Sequence, residues 1–164
     1  MSLDEYGIAT LSASQWLADE EFFVKRSRIT ADISFLGYPM NLCDDQWILP
    51  IARHAIIASI PEIDFSYKDI SFKKIVLVSG LSFEGGSGSP VFSSLRGTRI
   101  NCDIGAAESD DYCPQKLLGI MSGHLQLPTE EKLIGREAAF TKHTGLSYFT
   151  KSSALLEIIK LQEL

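Results

Sequence analysis

A glycine- and serine-rich segment in the middle of the chain, Gly85-Gly86-Ser87-Gly88-Ser89-Pro90, holds the residues best suited to chemistry. Glycine reaches backbone dihedrals closed to other residues and lets a substrate approach the main chain closely. Two neighbouring N–H groups can then converge on one point and stabilise a developing oxyanion. The pattern makes Ser87 a candidate nucleophile, although a flexible glycine–serine turn is the commoner meaning of such a segment taken by itself.

A serine hydroxyl needs a neighbouring base to act as a nucleophile near neutral pH. The chain contains three histidines, His54, His124 and His143. We expect each of them to be structural or on the surface, His54 on a strand, His124 at the end of a strand and His143 in a polar turn. An Asp45–His54–Ser87 order would imitate subtilisin, but nothing else in the sequence indicates that α/β fold.

Cofactor and metal sites are not predicted. The glycines are not followed by the Gly-Lys-Ser/Thr of a phosphate-binding loop. No acidic residue is spaced with His or Cys as in a metal site. The paired acids therefore indicate solvated loops or turns: Asp44-Asp45, Asp110-Asp111 and Glu130-Glu131.

The composition is that of an ordinary globular domain, with 164 residues, 45% hydrophobic and 22% charged. The net charge of −6 argues against a nucleic-acid partner and against an anionic membrane surface. Met1–Glu5 does not resemble a signal peptide, and no apolar run approaches membrane-spanning length, which predicts a cytoplasmic protein. Three cysteines are expected to be free buried thiols, with a Cys102–Cys113 pair as the alternative.

The elements around Ser87 are mostly strands. Short apolar runs with glycine and proline between them predict a closed antiparallel barrel or a sandwich. Segment 93–114 is polar and predicts a long hairpin or surface loop. A helix is expected after Ser152 or Ser153, its apolar stripe packing on the barrel or, alternatively, binding a partner. The predicted strands are 33–36, 55–60, 75–78, 117–121 and 146–149.

The order of these segments along the chain resembles that in the trypsin-like serine peptidases, and most closely that in the bacterial trypsin-like peptidase-domain group. The serine motif of that group reads Gly-x-Ser-Gly-(Ser or Gly)-Pro, with a strand about thirty residues later, here Gly119–Gly123. The matching segments are Phe35–Pro39, Ile56–Ser59, Gly85–Phe92, Leu118–His124 and Thr144–Tyr148. The resemblance implies an all-β fold: residues 30–164 form the second chymotrypsin-like antiparallel barrel, closed by a C-terminal α-helix, and residues 1–29 are a remnant of the first barrel with a connecting segment.

The resemblance also implies roles for individual residues. Ser87 matches the nucleophile that forms the acyl-enzyme, and the N–H groups of Gly85 and Ser87 match the oxyanion hole. Leu81 matches the base of the primary specificity pocket, where an uncharged residue disfavours a strict Lys/Arg preference. The remaining residues implied to bind the peptide substrate are Glu84, Ser122, Gly123 and His124.

The other two members of the family's catalytic triad, a histidine and an aspartate, have no match in this chain. The family's histidine precedes its aspartate by dozens of residues, more than this chain has room for. Tyr6–Leu11 resembles the aspartate strand, but Gly7 stands at the aspartate's position and Asp4 is three residues out of register. We therefore expect a serine endopeptidase domain that hydrolyses negligibly on its own, or a non-catalytic relic that binds peptides or interacts with a partner. Without its first barrel, such a domain would expose an apolar face, and we expect a homodimer, a companion chain that supplies the missing barrel, or a marginally stable monomer.

Overall fold

The structure is a computed structural model, and it describes residues 12–67, 70–97, 99–102, 105–109, 112–133 and 136–162. Within these ranges the chain is mostly β, with ten strands and three α-helices. The helices are α1 (Ala13–Trp16), α2 (Glu20–Arg26) and α3 (Ser152–Gln162). The strands are β1 (Asp32–Gly37), β2 (Ile51–Ile57), β3 (Phe65–Tyr67), β4 (Ile70–Phe72), β5 (Ile75–Ser79), β6 (Pro90–Ser93), β7 (Arg99–Cys102), β8 (Gly105–Glu108), β9 (Leu117–Leu133) and β10 (Arg136–Lys151).

Six of the strands form a closed antiparallel barrel in the order β1-β2-β5-β10-β9-β6. β1 pairs with β2 on one side and with β6 on the other, which closes the sheet. The remaining strands form two small sheets, β3-β4 and β7-β8. The predicted antiparallel barrel with a C-terminal helix is confirmed, and the polar segment 93–114 contains the expected hairpin.

The barrel interior follows the two-residue period of its strands, because successive side chains point to opposite faces of a sheet. In β1, Ile33 and Phe35 are buried, and in β2 Ala55 and Ile57 are buried. Phe23 of α2 is fully buried with them. The other apolar residues of this core are Ala18, Val76, Val78, Val91, Leu118, Met121 and Phe149.

The helix α2 begins where the sequence provides a cap. The Asp19 side chain accepts a hydrogen bond from the N–H of Phe22 at 2.8 Å, which satisfies a donor that the first turn leaves open. Glu20 then reaches across the fold, and both of its carboxylate oxygens lie 3.1 Å from Nζ of Lys151 at the end of β10. These contacts fix α2 against the barrel.

Two strands are much longer than the sequence predicts. β9 continues to Leu133 and β10 begins at Arg136, so His124 does not end its strand and His143 lies on a strand and not in a turn. Beyond the barrel the two strands pair with each other, from His143 with Gln126 to Arg136 with Leu133. The backbone N–H and C=O groups of the two strands bond to each other in this two-stranded ribbon, and polar residues can occupy such a ribbon.

The C-terminal helix differs from the expectation in its packing. Ile158 and Leu161 are 55% and 71% exposed, so the end of the predicted apolar stripe lies in solvent. Glu157 of the same helix forms an ion pair with Lys74 in the β4–β5 turn. The helix is therefore attached to the barrel by its first turns and by polar contacts.

The N-terminal region is described only in part. The strand expected at Tyr6–Leu11 lies outside the described residues, and α1 and α2 occupy the stretch that follows. Cys43 and Cys113 are free thiols, and Cys113 is buried, so the Cys102–Cys113 pair that the sequence left open is not formed. No helix in the described part of the chain has the length and apolar character needed to cross a bilayer.

Candidate active site

The Gly/Ser loop, residues 80–89, lies between β5 and β6 and is held at one end of the barrel by backbone hydrogen bonds. The N–H of Gly88 donates to the carbonyl of Met121 at 2.8 Å, and the N–H of Gly86 donates to Phe83 at 2.9 Å. The N–H of Met40 donates to the carbonyl of Glu84 at 2.6 Å, which fixes the loop against the end of β1. The loop is thus an ordered turn.

Glycine is required at two positions of this loop. Gly85 and Gly88 have φ values of +83° and +86°, which side chains other than glycine adopt only with strain. A Cβ on Gly85 would also overlap the carbonyl oxygen of Tyr38, whereas a Cβ on Gly88 would meet no atom within 4 Å. The left-handed glycines turn the chain on both sides of Ser87 and leave its side chain exposed.

Within residues 85–89 the N–H groups fall into two sets, and earlier in the loop those of Leu81, Phe83 and Glu84 also have no acceptor in the described structure. Those of Gly86, Gly88 and Ser89 donate to main-chain carbonyls. Those of Gly85 and Ser87 have no acceptor among the residues that the structure describes. Two donors beside an exposed serine hydroxyl are therefore available to an external oxygen atom.

A base for Ser87 is not found in the described part of the chain, where no imidazole or carboxylate is hydrogen-bonded to its hydroxyl. His54 instead pairs with Asp32, with Nε2 and Oδ1 2.9 Å apart. Both side chains lie on the outer face of the barrel, opposite the buried Ile33 and Ala55 that alternate with them. The His54–Asp32 pair is a surface contact between β1 and β2.

His143 is held by both of its ring nitrogens. Nδ1 accepts a hydrogen bond from the N–H of Gly145 at 2.8 Å, and Nε2 lies 3.0 Å from the carbonyl oxygen of Ser82. A carbonyl only accepts, so we assign the proton to Nε2 and a neutral ring. Burial, and then the neighbouring His124, lower the pKa of His143 below its usual range. The lone pair that a general base needs is already in use.

The imidazole of His143 lies among other ring and cationic groups at this end of the barrel. It stacks on His124 with 4.5 Å between ring centroids and lies 6.5 Å from the Phe83 ring. The guanidinium of Arg53 lies 4.8 Å from the centre of the Phe83 ring and 5.2 Å from the centre of the Phe35 ring. A cation flanked by two aromatic faces is stabilised there electrostatically.

Arg53 was not predicted as a site residue, although its position in the sequence contained a signal. Residues 53, 55 and 57 share one face of β2, and that face is buried at Ala55 and Ile57. One guanidinium nitrogen of Arg53, Nη1, is buried without a hydrogen-bond partner in the described structure. An arginine on the same face of a strand as two core residues indicates a cation at the mouth of the barrel.

A serine network that the sequence did not reveal ties the loop to β10. The Ser147 hydroxyl donates to the carbonyl of Gly80 at 2.7 Å and accepts the N–H of Ser82 at 3.0 Å. Ser82 donates from its own hydroxyl toward the carbonyl of Gly123 at 3.4 Å. These bonds join residues more than forty positions apart, so no local pattern predicts them.

The residues expected to contact a substrate lie around the same loop. Leu81 is 48% exposed and Glu84 is exposed. Ser122 is exposed, and its hydroxyl lies 2.7 Å from that of Thr150. β6 pairs with β9 at 117–120, and Gly88 and Ser89 of the loop continue this pairing at Met121. Beyond Met121 this edge of β9 has no neighbouring strand in the described structure, and the Gly123 carbonyl is approached there by the Ser82 hydroxyl alone. An extended peptide can add to such an edge.

No family model, no curated protein and no solved structure matches this chain. The described residues contain no group of three or more His, Cys, Asp or Glu side chains placed to hold a metal ion.

Proposed function

We propose that this chain is the serine-bearing barrel of a trypsin-like serine endopeptidase, with Ser87 as its nucleophile. The observation that carries the proposal is the pattern of N–H groups in the Gly/Ser loop. Gly85 and Ser87 present unpaired donors beside an exposed hydroxyl, while the N–H groups of Gly86 and Gly88 are used to hold the turn. Preorganised donors of this kind stabilise the oxyanion that forms when a serine attacks a carbonyl.

The proposed reaction divides into two steps. Oγ of Ser87 bonds to the carbonyl carbon of the scissile peptide, its proton passes to a base, and the C–N bond breaks as the leaving amine takes that proton. Water then hydrolyses the acyl-serine ester and restores the hydroxyl. The N–H groups of Gly85 and Ser87 hold the oxyanion in both steps.

The base and its orienting carboxylate must come from a companion chain or from residues outside the described part. His143 has both ring nitrogens engaged, and His54 is paired with Asp32 on the outer face. The described chain alone should therefore hydrolyse peptides negligibly, because losing triad members costs several orders of magnitude.

A peptide substrate would lie along the open edge of β9 at Ser122–His124, with Leu81 and Glu84 beside it. The cation of Arg53 lies near the same end of the barrel, between Phe35 and Phe83. Together with the uncharged Leu81, this placement disfavours lysine or arginine as the side chain next to the scissile bond.

A second candidate function is a non-catalytic peptide-binding module. The observation in its favour is the engagement of His143 and His54 in contacts that leave neither free to act on Ser87. Such a module would bind a peptide at the β9 edge and the Gly/Ser loop without cleaving it.

The two functions are separated by supplying the missing base from solution. We expect a fluorophosphonate probe to label the folded chain slowly, and free imidazole to accelerate the labelling in proportion to its concentration, because the N–H groups of Gly85 and Ser87 have no other acceptor in the described structure. Labelling is read by intact-protein mass spectrometry.

Ser87→Ala should abolish the imidazole-dependent labelling, and Ser71→Ala, at an exposed serine of β4, should not change it. If the folded wild type shows no labelling at any imidazole concentration, Ser87 is not an activatable nucleophile and the peptide-binding module is the better assignment.

A further inference from the structure

A cleft of about 480 Å³ lies on the barrel beside α2, in a different part of the fold from the Gly/Ser loop. Its walls are the end of α2, the segment that connects α2 to β1, the end of β6 and the residues around Arg96. A volume of this size suits a small organic ligand.

The charge of this cleft is opposite to that of the whole protein. The chain carries a net charge of −6, yet four basic side chains and one acidic side chain line the cleft. The basic residues are Lys25, Arg26, Arg28 and Arg96, and the acidic residue is Asp32.

In the described structure, the arginines of the cleft form no ion pair with a carboxylate. Lys25 forms an ion pair with Glu21 at 2.6 Å, and the Asp32 carboxylate is engaged by His54. In the described ranges, no carboxylate lies within 4 Å of the guanidinium groups of Arg26, Arg28 or Arg96. Three guanidinium groups beside one cleft thus have no carboxylate partner among the described residues.

A second feature of the cleft points to a ligand. Ser27, one of its lining residues, is 1% exposed, and its hydroxyl has no hydrogen-bond partner in the described structure. A buried hydroxyl without a partner is costly and rare in folded proteins. By contrast, the neighbouring Ser94 hydroxyl donates to the carbonyl of Asp32 at 3.1 Å.

We propose that this cleft binds a small molecule with two or more adjacent negative charges, held by Arg26, Arg28 and Arg96 and by a hydrogen bond from Ser27. Guanidinium groups match phosphate and carboxylate oxygens with paired N–H donors, so both kinds of anion share the required chemistry. The ligand bridges the segment after α2 and the segment after β6, which Arg96 anchors through paired backbone hydrogen bonds with Cys113 at 3.2 and 2.8 Å.

The test is titration calorimetry of the full chain at low salt, with inorganic pyrophosphate and with citrate as probes. We expect one of the two probes to bind with a dissociation constant of about 1 mM or tighter. Stronger binding of pyrophosphate assigns a phosphorylated ligand, and stronger binding of citrate assigns a polycarboxylate.

Two variants and one control make the result specific. The double variant Arg28→Gln/Arg96→Gln should weaken the bound probe about tenfold or more, because it removes charge-assisted hydrogen bonds. Ser27→Ala should weaken it several-fold, and Lys73→Gln, at an exposed lysine away from the cleft, should leave it unchanged. The proposal is overturned if neither probe binds, or if Lys73→Gln weakens binding as much as the arginine variant does.

Discussion

At the scale of single residues, His143 makes the stability of the fold depend on pH. Its pKa is lowered by burial and by His124, so the folded protein resists protonating this ring. The ordinary histidine pKa in an unfolded chain is about 6.5. Below that value the unfolded chain binds more protons than the folded one, and stability falls as the pH falls.

We therefore expect the free energy of unfolding to be constant above about pH 7.5 and to decrease down to about pH 5.5, above the range in which most carboxylates titrate. Urea unfolding at a series of pH values measures this. His143→Gln should flatten the slope, whereas Ser71→Ala, which removes no titratable group from an exposed position of β4, should preserve it. An unchanged slope in His143→Gln would contradict the assignment of a neutral ring held by Ser82 and Gly145.

At the scale of elements, the two left-handed glycines of the Gly/Ser loop offer a matched pair of substitutions. Gly88→Ala should destabilise the protein by about 1–2 kcal/mol, the cost of a positive φ for a residue with a Cβ. Gly85→Ala should cost clearly more, because its Cβ would also overlap the Tyr38 carbonyl oxygen.

Urea unfolding of both variants compares these costs, and fluorophosphonate labelling with imidazole reports on the site. We expect Gly85→Ala to lose labelling, since moving the loop displaces the donor at residue 85. Equal destabilisation by the two substitutions would show that the loop does not pack closely on the end of β1.

The sequence predicted those elements whose side chains enter the core. β1 and β5 are apolar runs bounded by turn residues, and the structure confirms both. The outer halves of β9 and β10 were not predicted, because their sequence is largely polar and their pairing with each other lies beyond the barrel. In the site, the Gly/Ser turn was visible as a motif, whereas the bond between His143 and Ser82 depends on the closure of the whole barrel.

At the scale of the whole molecule, an exposed apolar segment lies between β1 and β2. Trp47 and Ile48 are 69% and 66% exposed, although Trp47 is held by a hydrogen bond from its N–H to the Asp44 carboxylate at 2.7 Å. Ordered apolar side chains in solvent indicate an interaction surface. The other exposed apolar residues of this segment are Tyr38, Met40, Leu42 and Leu49.

We expect the protein to self-associate through this segment, as the proposed half of a two-barrel enzyme would. Sedimentation velocity over a dilution series should show a reversible monomer–dimer equilibrium. Trp47→Ser/Leu49→Ser should shift it to the monomer, and Leu161→Ser, at an exposed leucine of α3, should not. A wild type that stays monomeric at all concentrations and has a high unfolding midpoint would refute the expectation.

The closure of the barrel also has a consequence for how the chain is made. β10, the last strand in the sequence, lies between β5 and β9. The second edge of β5, at residues 75–79, therefore stays uncovered until residues 146–150 of β10 pair with it. Pairings between such distant segments form slowly, because a long loop must close first. During synthesis on the ribosome, β5 and β9 present open strand edges until the end of β10 emerges, and in this interval the nascent chain is most exposed to misassembly.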